Sequence, residues 1–167
     1  MKIKYHICFY LFLVIIWTST AHAKLNVVAT TSDLGAIARE IGKDKVEVTS
    51  IAKPTEDPHF VDAKPSFIVK LNKADMLIDG GLQLEIGWLP TLVTGARNQK
   101  ILHGNPGYVV AGTGISVLEA PASLDRAMGD VHPLGNPHFM LDPSNGKIVA
   151  THICDRLCQI DAANCRY

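Results

Sequence analysis

Histidine follows proline twice in this chain, in Asp57-Pro58-His59-Phe60 and in Asn136-Pro137-His138-Phe139. Proline fixes its own φ and biases the preceding residue toward an extended form, so each imidazole is presented from a stiffened loop. Stiff presentation is what a metal ligand needs. Imidazole suits zinc, and suits manganese when carboxylates complete the shell. His59 and His138 are therefore the candidate metal ligands. One such histidine alone is ordinarily a surface turn residue, and the weight here rests on the pair, because both loops are expected to reach one crevice.

Other residues with ligand chemistry read less sharply. His132, in Asp130-Val131-His132-Pro133, reads as an exposed loop histidine that at most assists capture of a metal. Asp62 and Glu56, near His59, read as solvated loop charges. His152, Cys154 and Cys158 share one predicted helix, where positions four apart lie on one face; a soft-metal site there competes with the plainer reading of small core residues beside an incidental histidine. The chain has no HExxH pair and no nucleophile elbow, so a metal-dependent hydrolase is the weaker alternative.

The elements that must position these residues follow from periodicity. Lys24 to Thr31 is a β-branched run suited to a buried strand, and Ser32-Asp33 then reads as the cap of a helix over Leu34 to Ile41. Val46 to Ile51 predicts a second strand, Pro65 to Ala74 a second helix, and Met76 to Asp79 a third strand ending at Gly80-Gly81. Ile86 to Ala96 predicts another helix, interrupted near its start by Pro90. Gly104 to Gly114 suits short strands and turns. Strands alternating with helices argue an α/β fold with a parallel sheet flanked by helices. In such a sheet the loops at the carboxyl ends of the strands converge on one crevice, where His59 would meet a histidine from the last loop. Glu119 to Gly135 reads as an irregular surface segment. Asp142-Pro143 opens a final helix, with Ile148, Val149, Ile153, Leu157 and Ile160 as its apolar stripe, running almost to Tyr167.

Composition bounds the rest. A chain of 167 residues builds one domain, or one lobe of something larger. Lys plus Arg and Asp plus Glu number 16 each, so no broad field draws nucleic acid, and the chemistry sits in a local site. Lys2 and Lys4, the apolar centre from Phe9 to Trp17, and Ala21-His22-Ala23 have the layout of a cleavable signal peptide over residues 1–23. The apolar centre is shorter than the ~20 residues of a membrane span. No cysteine follows at once, so no lipid anchor is read, and the expected destination is the periplasm. After cleavage Cys154, Cys158 and Cys165 remain, an odd number for an oxidising compartment.

The stretches KADMLID (Lys73 to Asp79), GGLQLEIGWLP (Gly80 to Pro90), EDPHFVDAKPS (Glu56 to Ser66) and RAMGDVHPLGNPHFMLDP (Arg126 to Pro143) closely resemble the solute-binding proteins of zinc and manganese ABC transporters. The resemblance covers essentially the whole chain after residue 23. It implies two α/β lobes joined by one long helix, a zinc or manganese ion held between them as the transported ligand, and delivery to an ABC transporter membrane permease. On that reading residues 24–141 form the N-terminal metal-binding lobe and residues 142–167 the connecting helix. His59 corresponds to the first metal ligand and His138 to the second, while Glu85 is expected to support the fold. The family's remaining ligands come from a second lobe, which this chain lacks, so impaired capture and weak binding are expected. A non-functional folded fragment is the alternative, and attachment to surfaces is a further one by resemblance only. A lobe without its partner is also expected to leave apolar surface uncovered around Ile153, Leu157 and Ile160, giving self-association through the final helix.

Overall fold

The computed structural model describes residues 23–120 and 132–165. The expected signal peptide, apart from Ala23, and the centre of the irregular segment lie outside the described residues. Among the described residues four strands and four α-helices alternate along the chain: β1 (Leu25–Ala29), α1 (Ser32–Gly42), β2 (Val46–Ser50), α2 (Pro65–Asn72), β3 (Met76–Asp79), α3 (Leu89–Ala96), β4 (Tyr108–Val110) and α4 (Pro143–Ile160). The strands form one parallel sheet in the order β2-β1-β3-β4. The expected α/β class and parallel sheet are those observed.

Alternation along the strands builds two cores. Val27, Ala29, Met76 and Ile78 face one side of the sheet, with Leu34 and Ala38 of α1 and Val149, Ile153 and Leu157 of α4. Val28 and Leu77 face the other, with Leu71 of α2, Leu89, Leu92 and Ala96 of α3, and Trp88. Helices therefore cover both faces, which explains why Met76 to Asp79 is buried at every position.

The element ends depart from expectation in instructive ways. Thr31, not the Ser32-Asp33 pair, is the N-cap residue of α1, and its hydroxyl donates to the Asp33 carboxylate in the first turn. α3 starts at Leu89 and not at Ile86. Pro90 lies in its first turn, where the missing N–H costs no intrahelical bond. The preceding loop instead folds through Gly81, Leu82 and Gln83, all at positive φ. The expected cap of α4 is present: Asp142 accepts from the Ser144 N–H at 2.9 Å, with Pro143 as first helical residue.

α4 also corrects two readings. It ends at Ile160, followed by a short 3-10 turn at Ala162–Asn164, and Cys158 is joined to Cys165 by a disulfide, leaving Cys154 as a free thiol. Its apolar stripe is not uncovered, because Ile153 and Leu157 are each 0% exposed and Ile160 packs against the same core. α4 packs against α1 and the sheet, so the surface on which self-association was expected is already covered.

Behind the carboxyl edge of the sheet lies a buried polar network. Glu85 accepts from the Thr30 hydroxyl at 2.6 Å and from the Gly80 N–H at 2.8 Å, tying the ends of β1 and β3 together. Asp79 accepts from the Tyr108 hydroxyl at 2.7 Å, which ties β3 to β4. Burial, and after it the neighbouring Glu85 carboxylate, pushes Asp79 up to about 7. Burial pushes Glu85 up as well, against the bonds from Thr30 and Gly80.

Two outcomes follow for stability. Leu157→Ala should cost about 2–5 kcal/mol in urea unfolding, as expected for a fully buried leucine with little room to relax. The Asp79 carboxyl binds its proton more tightly in the folded chain than in the unfolded one. Its contribution is therefore fully present at acid pH and is lost as pH rises through about 7. Asp79→Asn should gain stability relative to the natural chain between pH 5 and pH 8 on the order of a few kcal/mol, measured as the difference in unfolding free energy at each pH. A difference independent of pH would show that Asp79 is ionised throughout.

Candidate metal centre

Each Pro-His element is held by the same local device. The His59 N–H donates to Asp57 Oδ1 at 2.9 Å, and the His138 N–H donates to Asn136 Oδ1 at 2.9 Å. In both, a short side chain two residues back closes an Asx turn around the proline. The matched sequence thus produces matched backbone, which no helix or strand supplies at these positions.

An aromatic residue fastens each loop to the core. Trp88, 3% exposed, donates from its indole Nε1 to the Pro58 carbonyl at 2.8 Å, immediately before His59. Phe139, immediately after His138, packs against the core beneath α1 and α4, and its carbonyl accepts from the Asn145 side chain at 2.8 Å. The second loop is further tied to the Leu118–Glu119 strip by Asn136, whose N–H donates to Leu118 O at 2.8 Å and whose side chain donates to Glu119 Oε2 at 2.8 Å.

These anchors bring His59 and His138 together at the carboxyl ends of the strands, with ring centroids 5.3 Å apart. The rings stand edge to face, and His138 is exposed while His59 is partly buried. Asp57 Oδ1 also lies 2.6 Å from His59 Nδ1. Bonds from His59, first from its backbone N–H and then from its ring, hold the Asp57 carboxyl below the usual carboxylate range. A carboxylate at Nδ1 fixes the proton there and leaves Nε2 as the lone-pair nitrogen, the arrangement that orients metal-binding histidines.

The structure adds a residue to the pair. His132 is partly buried, its ring stacks on His59 with centroids 5.0 Å apart, and its Nε2 lies 3.2 Å from His59 Nε2. One ring nitrogen from each of His59, His132 and His138 lies within 4.8 Å of the others, close enough to hold one metal ion. The reading of His132 as an exposed loop histidine is therefore corrected. The signal was present in Gly135, which sits at φ 98° and donates to the His132 carbonyl at 3.0 Å. That turn reverses the chain and folds the segment back between His132 and His138.

The other candidates do not join the cluster. Glu56 Oε2 accepts from the Lys53 N–H at 3.1 Å and closes a local turn, while Asp62 is exposed. Cys158 is consumed in its disulfide, so the soft-metal reading of α4 loses one of its thiolates. His152 lines a separate depression with Thr113, Asp155 and Arg156. Beside His138 a crevice of 330 Å³ opens between the end of β1 and the second loop, bordered by Asp33, Lys53, Glu56 and Pro137.

Known proteins share this arrangement of chain. Residues 27–167 match the family model described as zinc-uptake complex component A, periplasmic. The metal ABC transporter substrate-binding lipoprotein ScbA of Streptococcus cristatus is 33% identical over 150 residues, covering 88% of this chain and 45% of that protein. The manganese ABC transporter substrate-binding lipoprotein scaA of Streptococcus gordonii is 32% identical over 150 residues, with the same coverage. The Mn-bound periplasmic metal binding protein of Candidatus Liberibacter asiaticus superimposes with a TM-score of 0.69 at 25% identity, covering 86% of this chain and 48% of that one. The chain spans a little under half the length of the relatives it matches, and it belongs to the family described as zinc-uptake complex component A, periplasmic.

Proposed function

We propose that this chain captures a divalent transition metal, zinc or manganese, outside the cytoplasmic membrane for delivery to an ABC permease, with His59 and His138 as ligands. The observation that carries the proposal is the convergence of two imidazoles from separate loops, their rings 5.3 Å apart at the carboxyl edge of a parallel sheet. Loops at that edge are where ligands bind in open α/β sheets. The relatives named above bear the names of metal ABC transporter substrate-binding proteins, and one similar solved structure is a Mn-bound periplasmic metal binding protein. Capture without chemical conversion of the ligand fits the family.

Location follows the same reading. Among the described residues no helix is long and apolar enough to cross a membrane. Export through the signal-like residues 1–23 into the periplasm is part of the proposal, as is the assignment of residues 24–141 to a metal-binding lobe. Ala23 is followed by Lys24 in this chain, and the relatives are named as lipoproteins.

Coordination requires neutral imidazole, so protons compete with the metal and binding should weaken on acidification. His59→Ala and His138→Ala should each abolish most metal binding measured by titration calorimetry, because each removes a ligand from a small set. Far-UV circular dichroism should stay unchanged, since both side chains lie on loops outside the core. Retention of full affinity in both variants would overturn the assignment.

A further inference from the structure

The family resemblance accounts for two histidines in this lobe, but the geometry contains three. We infer that His132 is a third ligand, making His59, His132 and His138 an all-imidazole site for zinc in preference to manganese; this rests on the metal-capture reading above.

Distance is the first support. Two nitrogens bound to one tetrahedral zinc, each about 2.0–2.1 Å from the ion, lie about 3.3 Å apart. His59 Nε2 and His132 Nε2 are 3.2 Å apart. The Asp57 carboxylate at His59 Nδ1 places that ring's proton away from the cluster, so His59 Nε2 turns a lone pair toward His132. The third nitrogen is within 4.8 Å of the others. Because His138 is exposed, its ring has the freedom to close the remaining ångström or so.

Donor chemistry is the second support. Asp57, the carboxylate nearest His59, already accepts from both the backbone and the ring of that residue. The cluster of ligand atoms among the described residues consists of imidazoles alone. Imidazole nitrogen is a borderline donor that suits zinc, whereas manganese favours carboxylate, carbonyl and water oxygen, and zinc stands above manganese in intrinsic affinity for nitrogen sites. Three imidazoles with one open position is also a known ligand count for zinc. A tetrahedral shell would then keep one position for an incoming group or water.

The test is calorimetric titration of the full chain with zinc chloride and, separately, manganese chloride, for the natural sequence and for His132→Ala, His132→Asp, His59→Ala and His138→Ala. The natural chain should bind zinc more tightly than manganese by at least about a hundredfold. His132→Ala should weaken zinc binding on the order of a hundredfold with unchanged circular dichroism, and His132→Asp should narrow the gap between the metals. If His132→Ala keeps zinc affinity within about twofold while His59→Ala and His138→Ala lose it, the third ligand is refuted and the metal-capture reading stands. If manganese binds the natural chain as tightly as zinc, the preference is refuted. If all three alanine variants keep zinc affinity, the metal-capture reading fails and this inference with it.

Discussion

Strand β3 is hydrogen-bonded in parallel to β1 on one side and to β4 on the other, and helices bury both its faces. A strand enclosed in this way has one outlet for function, the edge where its carboxyl end meets the loops. β2 and β3 lie on opposite sides of β1, so the connections leaving the sheet diverge there and open a crevice. The loop after β2 carries His59, and the segment before α4 carries His132 and His138. The histidines meet because the sheet leaves the loops nowhere else to converge.

Rigidity at that edge comes from a division of labour between polar and aromatic groups. Asp57 and Asn136 shape the two turns, and Trp88 and Phe139 fasten them to opposite cores. Beneath them the Thr30–Glu85–Gly80 and Tyr108–Asp79 contacts hold three strand ends together. The carboxyls of that network are buried and shifted toward the protonated form, while Asp57 is exposed and shifted the other way. The same residue type thus serves as cross-brace in one place and as partner of an imidazole in the other, and burial decides which.

The two Pro-His elements were legible because the signal is local: four residues define the turn and the ring it presents. The strand pattern was equally legible, since the β-branched run through Val27 and Val28, closed by the Ser32-Asp33 turn signal, marks a strand buried on both faces. His132 was not, because its membership depends on a reversal at Gly135 and on a stacking contact with a residue 73 positions away. Periodicity marked the apolar stripe of α4 correctly but was silent on its partner; an amphipathic face states that something covers it, not what. Likewise three cysteines set the parity of the problem, and only the fold at the end of α4 paired Cys158 with Cys165.

The central claim is that three imidazoles from two loops surround one ion. X-ray absorption at the zinc edge of the zinc-loaded chain examines that shell directly. The account predicts nitrogen and oxygen scatterers at about 2.0–2.1 Å, with the multiple-scattering pattern of three imidazole rings. A sulfur shell at about 2.3 Å, or the signature of a single imidazole, would contradict it.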